Sequence, residues 1–149
     1  MRAIVRSRGV MIVLLVFVCI ALTGCSTTFE YVPEGAQYTF AEAEELASSA
    51  PLGSASDMKT SDANGVRQER LTELRGYGDA ERALADALTR DFPADHAAVP
   101  LRIEAGTVDG KDAWIIIEAW GDKDATLTHK RLWVLDRATY AVIGSSSFR

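Results

Sequence analysis

Glu104 and Glu118 come nearest to an acid–base pair in this chain of 149 residues. They fall on two predicted neighbouring strands. Paired carboxylates divide the roles of proton donor and acceptor when their surroundings hold their pKa values apart. Glu104 sits on the polar side of its strand and is expected in solvent, which leaves Glu118 unpaired. His96 and His129 are the only histidines. A zinc site takes about four protein ligands, or three and a water, so two isolated histidines read as surface residues. Asp109 with Asp112, and Asp122 with Asp124, lack the acid count and closing glutamate of a calcium loop, and aspartate is common in turns. Ser145-Ser146-Ser147 offers hydroxyls, but no histidine is placed by sequence to activate one. Gly76-Tyr77-Gly78 lacks the preceding strand and further glycines of a phosphate loop. The expectation is a chain with no catalytic residue, no metal and no cofactor.

The remaining reactive side chains are two cysteines, Cys19 and Cys25. Cys19 lies within the unbroken apolar run from Val10 to Leu22, and Cys25 follows that run. Arg2, Arg6 and Arg8 precede it, and the first acidic residue is Glu30. A spanning helix needs about 20 apolar residues; this run of 13 residues has the length of a signal-peptide core. No cysteine follows Cys25, so the rest of the chain has no thiol for a disulfide, a metal or nucleophilic attack. Without the three early arginines, 13 basic residues face 21 acidic ones, a formal charge of −8. Acidic and basic residues are interspersed with no basic stripe, which argues against nucleic-acid binding.

Leu22-Thr23-Gly24-Cys25, after a basic start and a short apolar run, resembles the lipobox of a bacterial lipoprotein signal peptide. The resemblance implies removal of residues 1–24 and a diacylated Cys25, with palmitate-type chains, as the first mature residue. Two chains make a durable anchor, because each buried methylene contributes about 0.8 kcal/mol. The implied location is extracytoplasmic and lipid-anchored, at the cell membrane or, in a Gram-negative envelope, with Ser26 compatible with outer-membrane sorting.

Four stretches organise the chain: the signal peptide at 1–24, a tether at 25–38 with local extended character, a short helix and flexible loop at 39–65, and an α+β domain at 66–149. Thr39-Phe40-Ala41-Glu42 reads as a capping box opening a helix from about Phe40 to Ser49, stopped by Pro51. Leu52 to Gly65 reads as a loop with a turn signal at Asn64-Gly65. Val66 to Arg75 reads as a helix, with a strand as the alternative. Ala80–Phe92, capped by Asp79, carries Ala80, Leu84, Ala87, Leu88 and Phe92 at helical spacing. Val99, Leu101, Ile103 and Ala105 alternate with Pro100, Arg102 and Glu104 as in a half-buried strand, and Pro100 limits it to an edge or to pairing on one side there. Asp109-Gly110 makes a turn. Strands follow at Ala113–Trp120, Leu127–Leu135 and Tyr140–Ser147. The expected fold class is α+β: one main amphipathic helix on a three- to four-stranded antiparallel meander, preceded by short helices and a flexible tether.

The strand Ala113–Trp120 is apolar on both faces. Trp114, Ile116, Glu118 and Trp120 share one face; Ile115, Ile117 and Ala119 share the other. One helix covers one face, so the other is either covered by helix 40–49 or segment 66–75, or left open to a ligand or partner around Trp114, Glu118 and Trp120. Trp133 and Tyr140 are expected to pack within the sheet. The order helix, strand, strand, strand over 79–147 is similar to PepSY-like domains. The closing stretch Leu132-Trp133-Val134-Leu135-Asp136-Arg137-Ala138-Thr139 fits their strand and turn, with Tyr140 where a glycine is usual. That resemblance implies a non-catalytic binding or inhibitory module. The expected role is therefore a lipid-anchored envelope lipoprotein that binds or assembles with an envelope protein or ligand. The alternative is a small ligand-binding or enzymatic cone-like α+β fold, with a pocket near the sheet holding Glu118 and His129.

Overall fold

The computed structural model describes residues 29–92 and 97–149; the signal-peptide segment, Cys25 and His96 lie outside them. Ten elements follow in order: β1 (Glu30–Val32), β2 (Gln37–Tyr38), α1 (Phe40–Ser49), a 3-10 turn (Gly53–Asp57), α2 (Thr60–Arg75), α3 (Asp79–Asp91), β3 (Ala98–Val108), β4 (Lys111–Trp120), β5 (His129–Asp136) and β6 (Val142–Phe148). The class is α+β. The long strands β3 to β6 form the expected antiparallel meander. Beyond it, β1 and β2 lie parallel to β3 along its other side, so the sheet runs β1-β3-β4-β5-β6 with β2 also on β3.

Residues 29–38, read from sequence as the end of a tether, are thus part of the folded domain. Phe29 is only 5 % exposed and joins the core under α2 and α3. Glu30 pairs with Arg102 in the register, two residues beyond Pro100. Pro100 pairs only with β4, opposite Glu118, where a bulge precedes Arg102. The missing N–H of proline therefore falls where β3 has one partner.

Helices cover both faces of the sheet. On one, Leu71 and Leu74 of α2 and Leu84, Ala85 and Leu88 of α3 pack with Ile103, Ala105, Trp114 and Ile116. On the other, Ala43 and Ala47 of α1 pack with Ile115, Ile117, Leu132 and Val134. The alanine face of α1 is small, which brings its backbone close to the sheet. Its start is the expected capping box: Glu42 N–H donates to the Thr39 hydroxyl at 3.3 Å, and Thr39 N–H donates to the Glu42 carboxylate at 2.7 Å.

α2 begins at Thr60, well inside the expected loop, and Asn64-Gly65 lies within it rather than in a turn. Thr60 N–H donates to Ala125 O at 2.9 Å, and Leu127 N–H to Met58 O at 3.1 Å, tying the helix start to the segment before β5. The buried stripe is Ala63, Arg67, Arg70, Leu71 and Leu74, a helical spacing in which two members are arginine. Tertiary burial of that stripe overrides the glycine penalty of about 1 kcal/mol.

Two turns use left-handed backbone. Asp109 (φ 48°) and Gly110 (φ 77°) close the β3–β4 hairpin, as a two-residue primed turn requires. Tyr140 adopts φ 60° after the Asp136–Thr139 turn, where a glycine would be unstrained. The turn is held by Asp136, whose carboxylate accepts from the N–H groups of Ala138 and Thr139 at 3.0 and 2.8 Å. The tyrosine packs against the core on the α2–α3 side of the sheet.

Candidate functional site

The residues read as a candidate open face are covered. Trp114 and Glu118 are each 1 % exposed and Trp120 is 8 % exposed. Trp114 lies in the core beneath α2 and α3, and Arg67 of α2 reaches Glu118. Of the two readings the covered one holds and the open one does not: segment 66–75, extended into α2, supplies the cover. Trp133 and Tyr140 pack against the same core.

Glu118 is the centre of a buried polar network. Arg67 reaches it from α2. Arg131 of β5 donates to its other oxygen at 2.8 Å, and the Trp133 indole N–H donates to that same oxygen at 3.0 Å. The register explains the convergence: Glu118 faces Arg131 across β4–β5, and Arg67 stands one helical turn from Leu71 on the buried stripe of α2. Arg67 also donates to the carbonyls of Leu88 and Phe92 at 3.4 Å each, at the end of α3. Arg131 further lies 4.7 Å from the Trp133 ring centre, a stacked cation. Burial pushes the Glu118 carboxyl up, but the charges and hydrogen bonds of Arg67 and Arg131 outweigh it and hold it below the ordinary 4.5. An anion so held keeps its proton off, and a general acid needs the opposite shift.

Glu104 is buried as well, with no exposed surface, which corrects its expected place in solvent. It pairs with Ile115 in the register and therefore faces the α1 side, whereas Glu118 faces the α2–α3 side. The two carboxylates are on opposite faces and do not form an acid–base pair. Arg102, from the same strand, donates to Glu104 Oε2 through Nε at 2.9 Å and Nη2 at 2.6 Å. Ala36 N–H donates to Oε1 at 2.9 Å. Arg102 also reaches Glu30 at 2.6 Å. Together with the bonds Gly35 N–H to Ala105 O at 2.7 Å and Asp109 N–H to Tyr38 O at 2.8 Å, Glu104 clamps residues 30–38 along β3 as a strap. Burial, then the neighbouring Glu104, raises the Tyr38 phenol above its ordinary 10.

The other singled-out residues stay apart. His129 packs against Trp120 with ring centres 4.7 Å apart and planes tilted by 50°, and lies 3.8 Å from Asp122. Ser146 donates to Glu44 of α1. Gly76-Tyr77-Gly78 links α2 to α3. Among the described residues no group of three or more His, Cys, Asp or Glu is placed to hold a metal. Arg67, the helical partner of Glu118, was missed by a sequence reading that counted only the apolar members of α2. The signal was present: Arg67 shares helical spacing with Ala63, Leu71 and Leu74, and Arg70, on the same stripe, bonds the Pro100 carbonyl instead.

A cleft of about 330 Å³ lies between Lys59-Thr60-Ser61 and Asp124-Ala125-Thr126. A smaller one of about 160 Å³ runs between Phe40, Val108 and Ile143. Among the described residues the exposed large apolar side chains are Tyr77, Val142 and Ile143. Among the described residues no helix is long and apolar enough to cross a membrane. Comparison with protein-family models, with curated proteins and with solved structures finds no match to this chain.

Proposed function

We propose that this protein is a bacterial lipoprotein, anchored outside the cytoplasm through acyl chains on Cys25, whose α+β domain binds or assembles with an envelope partner without catalysing a reaction. One observation carries the reading: Leu22-Thr23-Gly24-Cys25 placed directly after a basic start and an apolar run too short to span. The lack of any cysteine beyond Cys25 is in keeping with a thiol reserved for the anchor. The order of α3 followed by the antiparallel strands β3 to β6 supports the likeness to PepSY-like binding modules. The alternative enzymatic reading asked for Glu118 with a raised pKa beside His129. Glu118 instead sits between two arginines, with its pKa lowered, so the binding reading is favoured.

Intact mass of membrane-extracted protein, beside a Cys25→Ala variant, tests the proposal. The expected result is residues 25–149 plus acyl chains, with the acyl mass absent in the variant. An unacylated or uncleaved chain would overturn it.

A further inference from the structure

Resting on the lipid-anchor reading, we infer that the folded domain is held flush against the bilayer in a restricted orientation, with the β1 edge toward the headgroups and the β6 edge turned away. The argument starts from Phe29. It is 5 % exposed and belongs to the core, and Glu30 is already hydrogen-bonded into the sheet beside Arg102. The strap that follows is clamped by Glu104 through Ala36 and Arg102. Residues 29–38 are therefore not spare chain. Four residue steps separate Cys25 from Phe29, and four extended steps reach at most about 14 Å.

That leash is short beside the body it holds. A domain of this size is about 35 Å across, from its expected radius of gyration. The sheet order places β6 four strands from β1, or about 19 Å at ordinary strand spacing. If the domain rested on its β6 edge, Phe29 would stand farther above the bilayer than the leash extends. The β6 edge, with exposed Val142 and Ile143, must then face away from the membrane or to the side. Contact at the β1 edge is imposed by covalent length, and it needs no attraction between the acidic domain and the lipid. Any partner that meets the anchored protein from outside the bilayer finds β6 and β5 before it finds β1.

Proximity quenching tests this directly. The only cysteine the mature chain would carry is Cys25, so an introduced cysteine is a unique labelling site. Glu30→Cys, or Glu34→Cys should the first fold poorly, labels the β1 edge; Ser145→Cys labels β6. Each acylated protein is placed in vesicles of phosphatidylethanolamine and phosphatidylglycerol containing nitroxide-headgroup lipid. The β1-edge label should be quenched severalfold more than the β6 label. Inserting a Gly/Ser segment of about 20 residues between Thr28 and Phe29, with ends averaging roughly 25 Å apart, should abolish the difference. Equal quenching of the two labels, or a difference that survives the insertion, overturns the inference. Intact mass of the same preparations separates the two levels. Acylated protein with equal quenching defeats the orientation alone, whereas protein without acyl chains defeats the anchor reading.

Discussion

Glu118 and Glu104 are both buried in one sheet, one beneath each face, and they are held by different means. Glu118 draws its partners from two other elements: Arg67 from α2, Arg131 and Trp133 from β5. Glu104 draws its charge partner from its own strand and its other donor from the backbone of the strap. The first network joins a helix to the centre of the sheet, so its loss is felt by the whole fold. The second fastens a segment to an edge, so its loss should be felt locally. Burial alone therefore does not say what a charge does; the elements its partners come from do.

The largest effect should come from breaking the Glu118 network. Glu118→Ala strands Arg67, whose side chain is 5 % exposed, and removing one partner of a buried pair costs about 3–5 kcal/mol. Urea unfolding followed by tryptophan fluorescence should show a much lower midpoint with an unchanged slope. Replacing both partners, Arg67→Met with Glu118→Leu, should cost at least about 1 kcal/mol less than the two single changes summed. Additive costs would mean that the two groups do not act as a pair.

The same network sets an acid limit. The folded pKa of Glu118 lies below the ordinary 4.5, because Arg67 and Arg131 overcome the upward push of burial. A depressed folded pKa contributes stability that is fully present above the unfolded value and is lost as pH falls through the folded one. Below pH 4.5, the urea midpoint of the wild type should therefore fall more steeply than that of Glu118→Gln. Parallel curves would show that other carboxylates, Asp136 among them, carry the acid transition.

The contrast between the two carboxylates also marks what could be read from the sequence. α3 and the four long strands were legible because their apolar residues follow a clear period: Leu84 and Leu88 for the helix, Ile103 and Ala105 for β3. The capping box at Thr39 and the Asp109-Gly110 turn were legible because their chemistry is local. α2 was half hidden, because arginines occupy buried positions in its stripe and a glycine sits in its first half. The strap was hidden for a different reason. β1 and β2 are three and two residues long and pair in parallel with a strand some seventy residues away, a contact that no local pattern encodes. Glu104 was misplaced for the same cause. Its polar face is polar in sequence, but the strap and Arg102 cover it.

Loosening the strap should have an intermediate effect. Glu104→Ala removes the acceptor of Ala36 N–H and one of the two carboxylates that Arg102 bonds, a cost of about 1–3 kcal/mol. Hydrogen exchange should speed up at Gly35, Thr107 and Asp109, whose N–H groups bond between the strap and β3, while amides of β4 and β5 keep their protection. Gly106→Ala offers an independent check. Its added Cβ would come within 2.7 Å of Ala36 O and should give the same local pattern, at about 1–3 kcal/mol. Global loss of protection in either variant would erase the distinction between the two carboxylates.

The smallest effect belongs to Thr39, where the strap turns into α1. Its hydroxyl caps the helix, and losing such a cap costs about 1 kcal/mol. A more discriminating readout is the carboxyl of Glu42, which two bonds from Thr39 hold below its ordinary 4.5: first the backbone N–H, then the hydroxyl. Thr39→Ala keeps the first and removes the second. The Glu42 carboxyl, followed by NMR titration, should therefore move only part of the way back toward 4.5. A full return would mean that the backbone bond is lost too and the strap no longer holds its course into α1. That would make the strap and the helix start one cooperative unit rather than two neighbouring ones.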